Sequence, residues 1–131
     1  STDVPEYQRR FLPKGSIADG SDPLEARGAL LLDLGKDGLP PSQEGQVKSL
    51  WDIHNSVMTF RNETAQTLDL FWLDKKGKRV FYGRIPPKRS WQQSTFATHP
   101  WLIADANGAA LGIFRATDAA QTIVLRERPK K

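Results

Sequence analysis

From residue 49 onward, the chain consists of short runs of strand-forming residues separated by turn residues at intervals of about 8–12 positions. The runs are rich in β-branched and aromatic residues and are too short for helices of ordinary length. We predict seven strands, at residues 57–61, 68–73, 79–84, 90–96, 101–105, 110–114 and 121–126. This spacing of strands and turns is typical of a β-sandwich or a small barrel.

The composition limits the chain to a small set of classes. With 131 residues, of which 38% are hydrophobic, it has room for one compact domain. It has no cysteine, which excludes disulfides, thiolate nucleophiles, iron–sulfur clusters and cysteine-based zinc sites. The longest apolar run, at residues 29–32, is far shorter than a bilayer span, and no signal-peptide pattern is visible, so we expect no contact with a membrane.

Residues 1–48 differ from the rest because they contain five prolines and no alternating hydrophobic pattern. We predict an N-terminal extension over 1–48 and a β-sandwich domain over 49–128. Within the extension, a short helix is predicted at 22–34, with Pro23 in the first turn and Gly35 at its end. Its leucines would dock on the main body: Leu24, Leu30, Leu31 and Leu34. The predicted fold is therefore an all-β, seven-stranded antiparallel sandwich with a mostly irregular extension that carries one short helix.

A basic cluster raises the possibility of a nucleic-acid binder. Its members are Lys75, Lys76, Lys78, Arg79, Arg84, Lys88 and Arg89. Trp91 or Phe81 could stack on a base beside it. Lysines at the tip of a hairpin are more commonly a solvated turn, and no nucleic-acid motif accompanies them. We therefore do not expect nucleic acid as a partner.

Residue types used in catalysis and metal binding are present, but the spacings and neighbouring residues that such sites usually require are not. His54 and His99 are too few and wrongly spaced for a histidine zinc site. Ser94 or Thr95, His99 and Asp105 could form a hydrolase triad, but no nucleophile-elbow glycines accompany them. We expect no enzymatic activity, no metal and no cofactor.

Aromatic residues suggest a binding site more strongly. Of the four tryptophans, Trp72 and Trp101 lie on predicted strands near Tyr82 and His99; an aromatic ring on a strand is more often part of the core. Tyr82, Thr95 and His99 bring hydrogen-bonding groups to the same region. Such a mixture suits a small apolar ring that carries one hydroxyl.

The residues that carry a resemblance are Phe71-Trp72-Leu73-Asp74, Tyr82, Ile85-Pro86-Pro87, and the run from Thr95 to Asp105 that contains His99-Pro100-Trp101-Leu102. In type and spacing they resemble the β domain of the von Hippel-Lindau tumour suppressor, and the pattern can be laid on residues 72–105 without a gap. The resemblance implies a seven-stranded, prealbumin-like sandwich that binds 4-hydroxyproline in an extended peptide.

The resemblance also implies the site residues. Trp72, Tyr82, His99 and Trp101 match pocket residues of the family, and Thr95 stands where the family has a serine that contacts the hydroxyproline. Ser94 replaces a family histidine, and Phe96 replaces a tyrosine, so the contacts that flank the pocket differ. The family's helical domain, which docks elongin C, has no counterpart after residues 125–128, so we expect neither elongin C binding nor a ubiquitin-ligase adaptor function.

Two alternatives to a hydroxyproline pocket stay open at this point. One is a generic protein-interaction or carbohydrate-binding sandwich, in which exposed tryptophans stack on sugar rings. In the other, the tryptophans simply belong to the core.

Overall fold

The structure, a computed structural model, describes residues 30–129. These residues form seven strands and one 3₁₀ turn at Pro41–Gln43. The strands are β1 (Asn55–Asn62), β2 (Leu68–Leu73), β3 (Arg79–Ile85), β4 (Ser90–Phe96), β5 (Pro100–Ala104), β6 (Ala110–Arg115) and β7 (Gln121–Leu125). Each predicted strand is present within two residues at either end, which confirms the all-β prediction.

The strands form two packed sheets. The first has the order β4-β1-β7 and the second the order β3-β2-β5-β6. All neighbouring strands are antiparallel except β1 and β7, which run parallel. The prediction of a purely antiparallel sandwich is therefore wrong at this pair. Alternation of side chains is the same in both kinds of ladder, so the sequence pattern could not reveal the direction of β7.

The inner faces of the two sheets form the main core. Its buried residues include Met58, Phe60, Leu68, Leu70, Ile85, Trp101, Ile103 and Leu125. These residues recur at alternate positions along their strands, as expected when one face of each strand packs inward. Burial of this face is the chief source of stability that the sequence offers.

A buried asparagine joins the two sheets at the end of β1. The side chain of Asn62 is fully buried, and its Nδ2 donates to the carbonyl oxygens of Gln66 at 2.7 Å and Ile85 at 2.8 Å. Its Oδ1 accepts from the backbone N–H of Thr64 at 2.9 Å and from its hydroxyl at 2.7 Å. The amide group thus uses its hydrogen-bonding capacity to hold the turn after β1 against the end of β3.

The predicted helix at 22–34 is wrong over residues 30–34, which are extended; residues 22–29, with Leu24, lie outside the described residues. Leu32 forms an antiparallel bridge with Glu127, and the Asp33 N–H donates to the carbonyl oxygen of Arg126 at 2.9 Å. Leu30 and Leu32 are buried in the main core and Leu34 packs against it. Tertiary pairing has overridden the helix propensity of the leucine-rich run. The boundary at residue 48 stays a prediction.

Residues 39–49 then lead the chain across the second sheet to the predicted site. Leu39 pairs with Ile113 of β6, and Val47 joins a second core cluster on the outer face of this sheet. The Ser49 N–H donates to the Asp74 carbonyl oxygen at 3.0 Å, which anchors the chain at the end of β2. Over residues 30–129, the structure contains no helix with the length and apolar character to cross a membrane.

Candidate functional site

The five predicted site residues form one contiguous cluster. Trp72 on β2 lies directly opposite Trp101 on β5, so their side chains share a face of the second sheet. Tyr82 lies on β3, Thr95 on β4, and His99 in the turn between β4 and β5. The cluster therefore draws on both sheets, which meet at this point.

Trp101 forms the floor of the cluster. It is 2% exposed, and Tyr82 packs edge-on against its ring with 4.8 Å between ring centroids and an interplanar angle of 81°. Its Nε1 donates to Oγ1 of Thr95 at 2.9 Å, a bond that links β5 to β4 across the sandwich. This bond uses one lone pair of the Thr95 hydroxyl, whose proton can then be donated to a ligand.

A β-bulge sets the position of Tyr82. Leu70 pairs with Gly83 and Phe71 with Phe81, so Tyr82 is the extra residue of β3. A bulge of this kind redirects a side chain, and here it places Tyr82 on the same face as Gly83. Tyr82 is 43% exposed, so one side of its ring contacts Trp101 and the other is open to a ligand.

A hydrogen bond to a backbone carbonyl constrains the tautomer of the His99 ring. Its Nε2 lies 3.1 Å from the carbonyl oxygen of Leu50. A carbonyl oxygen only accepts, so Nε2 carries the proton when this bond is made, and the neutral ring has Nδ1 as an acceptor. The ring lies between those of Trp72 and Phe96, with centroid distances of 5.6 Å and 5.5 Å.

The turn that precedes His99 is strained. Thr98 has a φ of +75°, a left-handed conformation that β-branched residues rarely adopt. Its N–H donates to the Ala116 carbonyl oxygen at 2.9 Å, and its own carbonyl oxygen accepts from Nη1 of Arg115 at 2.9 Å. These bonds hold His99 beside Trp72. Sequence reasoning missed them, since nothing in the residue types signals a left-handed threonine.

Two buried polar atoms beside the cluster lack hydrogen-bond partners among the described residues, namely Nε1 of Trp72 and Oγ1 of Thr98. An unsatisfied buried polar group costs about 1–3 kcal/mol. Native structures contain few such groups, and they call for an explanation. Here both lie next to His99.

An apolar segment before β1 forms the rim of the cluster. Leu50, Trp51 and Ile53 are all exposed, and Trp51 is 78% exposed. Nζ of Lys75 lies 5.0 Å from the centroid of the Trp51 ring, within the range of a cation–π contact. In the same segment, hydrogen bonds from the backbone and ring of His54 hold the pKa of Asp52 below its usual value.

The burial of the aromatic residues bears on whether the tryptophans are core residues or part of a binding site. Trp101 is a core residue by burial, as the structural alternative predicts, but Trp72 is only partly buried and Tyr82 is exposed. A cleft lined by Asn55, Ser56, Ser94, Thr95 and Phe96 adjoins the cluster.

Three members of the hydrolase triad considered above, Thr95, His99 and Asp105, each bond elsewhere. Thr95 bonds to Trp101 and His99 to Leu50, while Oδ1 of Asp105 accepts from the backbone N–H groups of Asn107 and Ala109. Between residues 30 and 129, no three histidine or acidic side chains lie close enough to hold a metal ion. The absence of a cofactor stays a prediction.

Part of the basic cluster is paired with acids. Arg79 forms two hydrogen bonds to Glu44, at 2.6 Å and 2.8 Å. Lys88 lies 3.4 Å from Glu63. These contacts are typical of a structural and solvated surface rather than a phosphate-binding groove.

Two comparisons with known proteins match this region. The family profile described as the VHL beta domain matches residues 47–115, a range that contains all five predicted site residues. Protein Vhl of Drosophila melanogaster is 37% identical over 46 residues, which are 35% of this chain and 26% of that protein. The chain thus aligns with about a quarter of the length of this relative.

Proposed function

This chain belongs to the VHL beta-domain family, and on that premise we propose that it is a peptide-recognition module that binds 4-hydroxyproline within an extended peptide. The proposal concerns recognition alone. Neither a catalytic step nor the docking of elongin C is part of it.

The observation that carries the proposal is that Thr95 and His99 each contact one of two paired tryptophans, Thr95 by its hydrogen bond with Trp101 and His99 by its ring against Trp72. A hydroxyl group both donates and accepts one hydrogen bond with ease. In our proposal, the ligand hydroxyl accepts from the Thr95 O–H and donates to Nδ1 of His99, whose Nε2 is engaged with Leu50. Because Trp101 already uses a lone pair of Thr95, the threonine proton is directed away from the indole.

The aromatic residues supply the apolar part of the slot. Trp101 forms its floor, and Tyr82 and Trp72 form its walls. A pyrrolidine ring is small and has little internal freedom, so it can pack against such rings with little loss of conformational entropy.

The strand order supports an extended ligand. Thr95 lies on β4, which is an edge strand of the first sheet. A peptide that pairs with the open edge of β4 would gain main-chain hydrogen bonds with little dependence on sequence. Affinity would then come from the strand edge and selectivity from the slot.

Selectivity follows from the cost of unpaired groups. Proline would leave the Thr95 hydroxyl and His99 Nδ1 without their partner, at about 1–3 kcal/mol per group and so about 2–6 kcal/mol for the pair, and proline should therefore bind at least about 30-fold more weakly.

The test is a calorimetric titration with two synthetic peptides that differ only in one hydroxyproline or proline at the centre. Tighter binding of the hydroxylated peptide by at least about 30-fold is expected. Equal binding, or binding of neither peptide, would reject the proposal.

A second candidate function, binding of a carbohydrate, rests on Trp51. Its indole is 78% exposed and offers a flat surface on which a sugar ring could stack. A glycan array separates the two candidates. Carbohydrate binding predicts glycan signals that Trp51→Ala abolishes and Thr95→Val leaves intact.

A further inference from the structure

Trp91 closes one end of the opening between the two sheets. It lies on the same face of β4 as Thr95 and packs against the main core. A β-carbon added at Gly83 of β3 would lie closer than 3.0 Å to three atoms of the six-membered ring of Trp91. The indole therefore spans from β4 to β3 and rests on the one residue type that leaves room for it.

A hydrogen bond fixes the indole in this position. Nε1 of Trp91 donates to Oε1 of Gln93 at 3.0 Å, and the amide of Gln93 in turn donates to the Ser94 carbonyl oxygen at 2.9 Å. Because both ends of the indole are held, we treat it as a fixed wall.

This wall lies next to the slot. Along β3, Gly83, which lies under the Trp91 ring, follows Tyr82, and Val80, the pairing partner of Trp72, lies two positions before Tyr82. Trp72 and Trp91 therefore flank Tyr82 from opposite sides. The Trp91 indole over Gly83 is therefore beside the place where a residue next to the hydroxyproline would lie if the hydroxyproline ring sat on Tyr82 and Trp101.

We propose, on the basis of the proposed function, that Trp91 determines which residue can neighbour the hydroxyproline on one side. The indole and the Gly83 backbone leave space there for a small side chain only. A bulky side chain must displace an indole that is packed against the core and hydrogen-bonded to Gln93. Trp91 is thus a specificity-determining residue that acts by exclusion.

The experiment uses three hydroxyproline peptides and the full chain. One peptide has glycine on both sides of the hydroxyproline, and the other two have phenylalanine in place of one glycine. For the wild type, we expect one of the two phenylalanine peptides to bind at least about tenfold more weakly than the glycine peptide.

Two variants remove the wall by different routes. Trp91→Ala deletes the indole, while Gly83→Ala adds a methyl group that forces the ring to move. With Trp91→Ala, the loss caused by phenylalanine should shrink to about threefold or less. With Gly83→Ala, the displaced ring no longer lies in its wild-type position, so the loss should differ from the wild-type value. Gln92→Ala is the matched control, since Gln92 is exposed and points to the opposite face of β4, and it should keep the wild-type ratio. If a thermal melt shows that Trp91→Ala does not fold, Gly83→Ala alone tests the role of the Trp91 indole.

The outcomes separate this inference from its premise. If the wild type binds all three peptides equally, or if the folded variants retain the wild-type ratio, Trp91 is not the determinant. If the glycine peptide binds no better with hydroxyproline than with proline, or does not bind at all, the proposed function fails and this inference fails with it.

Discussion

Replacing Thr95 by valine removes a hydroxyl while nearly preserving shape, and its effects can be worked out from two hydrogen bonds. Thr95 is buried and is the acceptor for Nε1 of Trp101, which is itself 2% exposed. Valine leaves this indole N–H without its acceptor, at a cost of about 1–3 kcal/mol. For a domain of this size, that corresponds to a fall in Tm of about 4–15 °C.

The same substitution should alter binding by a different route. Valine cannot donate to the ligand hydroxyl, whereas Nδ1 of His99 can still accept from it. Selectivity for hydroxyproline over proline should therefore fall by about tenfold, the equivalent of one hydrogen bond, without vanishing. Thr95→Ser is the matched control, because it keeps the hydroxyl and loses one methyl group, at about 1 kcal/mol of stability.

Both quantities are accessible to standard measurements. Urea denaturation followed by tryptophan fluorescence gives the free energy of unfolding, and calorimetric titration of the paired peptides gives the selectivity. The reasoning would be refuted by a Thr95→Val protein as stable as the wild type, since the buried indole N–H would then not need this acceptor. Serine and valine variants of equal selectivity would refute the role of the hydroxyl in binding.

Three further substitutions test the account of the fold. Asn62→Ala should destabilise the protein by about 3 kcal/mol or more in urea denaturation, because it leaves the buried N–H of Thr64 and the buried carbonyl oxygen of Ile85 without their hydrogen-bond partner. Thr98→Gly should raise the free energy of unfolding by about 1 kcal/mol, opposite to the usual effect of glycine, because it relieves a φ of +75°. Burial raises the pKa of Asp69 and outweighs the attraction of Arg84. This carboxyl therefore stabilises the fold most in acid, and that contribution is lost as the pH rises through its folded-state pKa. The stability of Asp69→Asn relative to wild type, measured by denaturation from acidic to neutral pH, should then increase with pH.

The sequence predicted the strands well because their signal is local. Alternation and turn glycines fix where β2 and β3 begin and end, and Gly77 in the turn between them has a positive φ of +79°, a conformation that glycine adopts readily. The errors arose where long-range pairing decides. Residues 30–34 are extended because residues 126–128 pair with them. The parallel direction of β7 relative to β1 depends on the side from which the chain re-enters the first sheet after β6.

The site shows the same division between local and long-range signals. Residue types and the family resemblance predicted Trp72, Tyr82, Thr95, His99 and Trp101 as site residues; the fold brings these five into one cluster, and their role in binding stays a prediction. The contacts that orient these five side chains could not be predicted from their residue types. The Tyr82 bulge is a shift of register, and the partner of His99 is a backbone carbonyl of Leu50, which any residue at position 50 could provide.

Three costly features of this molecule lie around the proposed slot. The left-handed Thr98, the unsatisfied Nε1 of Trp72 and the bulge at Tyr82 each oppose stability or regular pairing, and each adjoins His99 or Trp101. A fold under selection for stability alone would shed such features, whereas a binding site retains them to hold groups in place before the ligand arrives. Thr98→Gly can therefore distinguish the contribution of this turn to stability from its contribution to ligand binding. Greater stability together with weaker hydroxyproline selectivity would mean that the strain in this turn is what positions the imidazole.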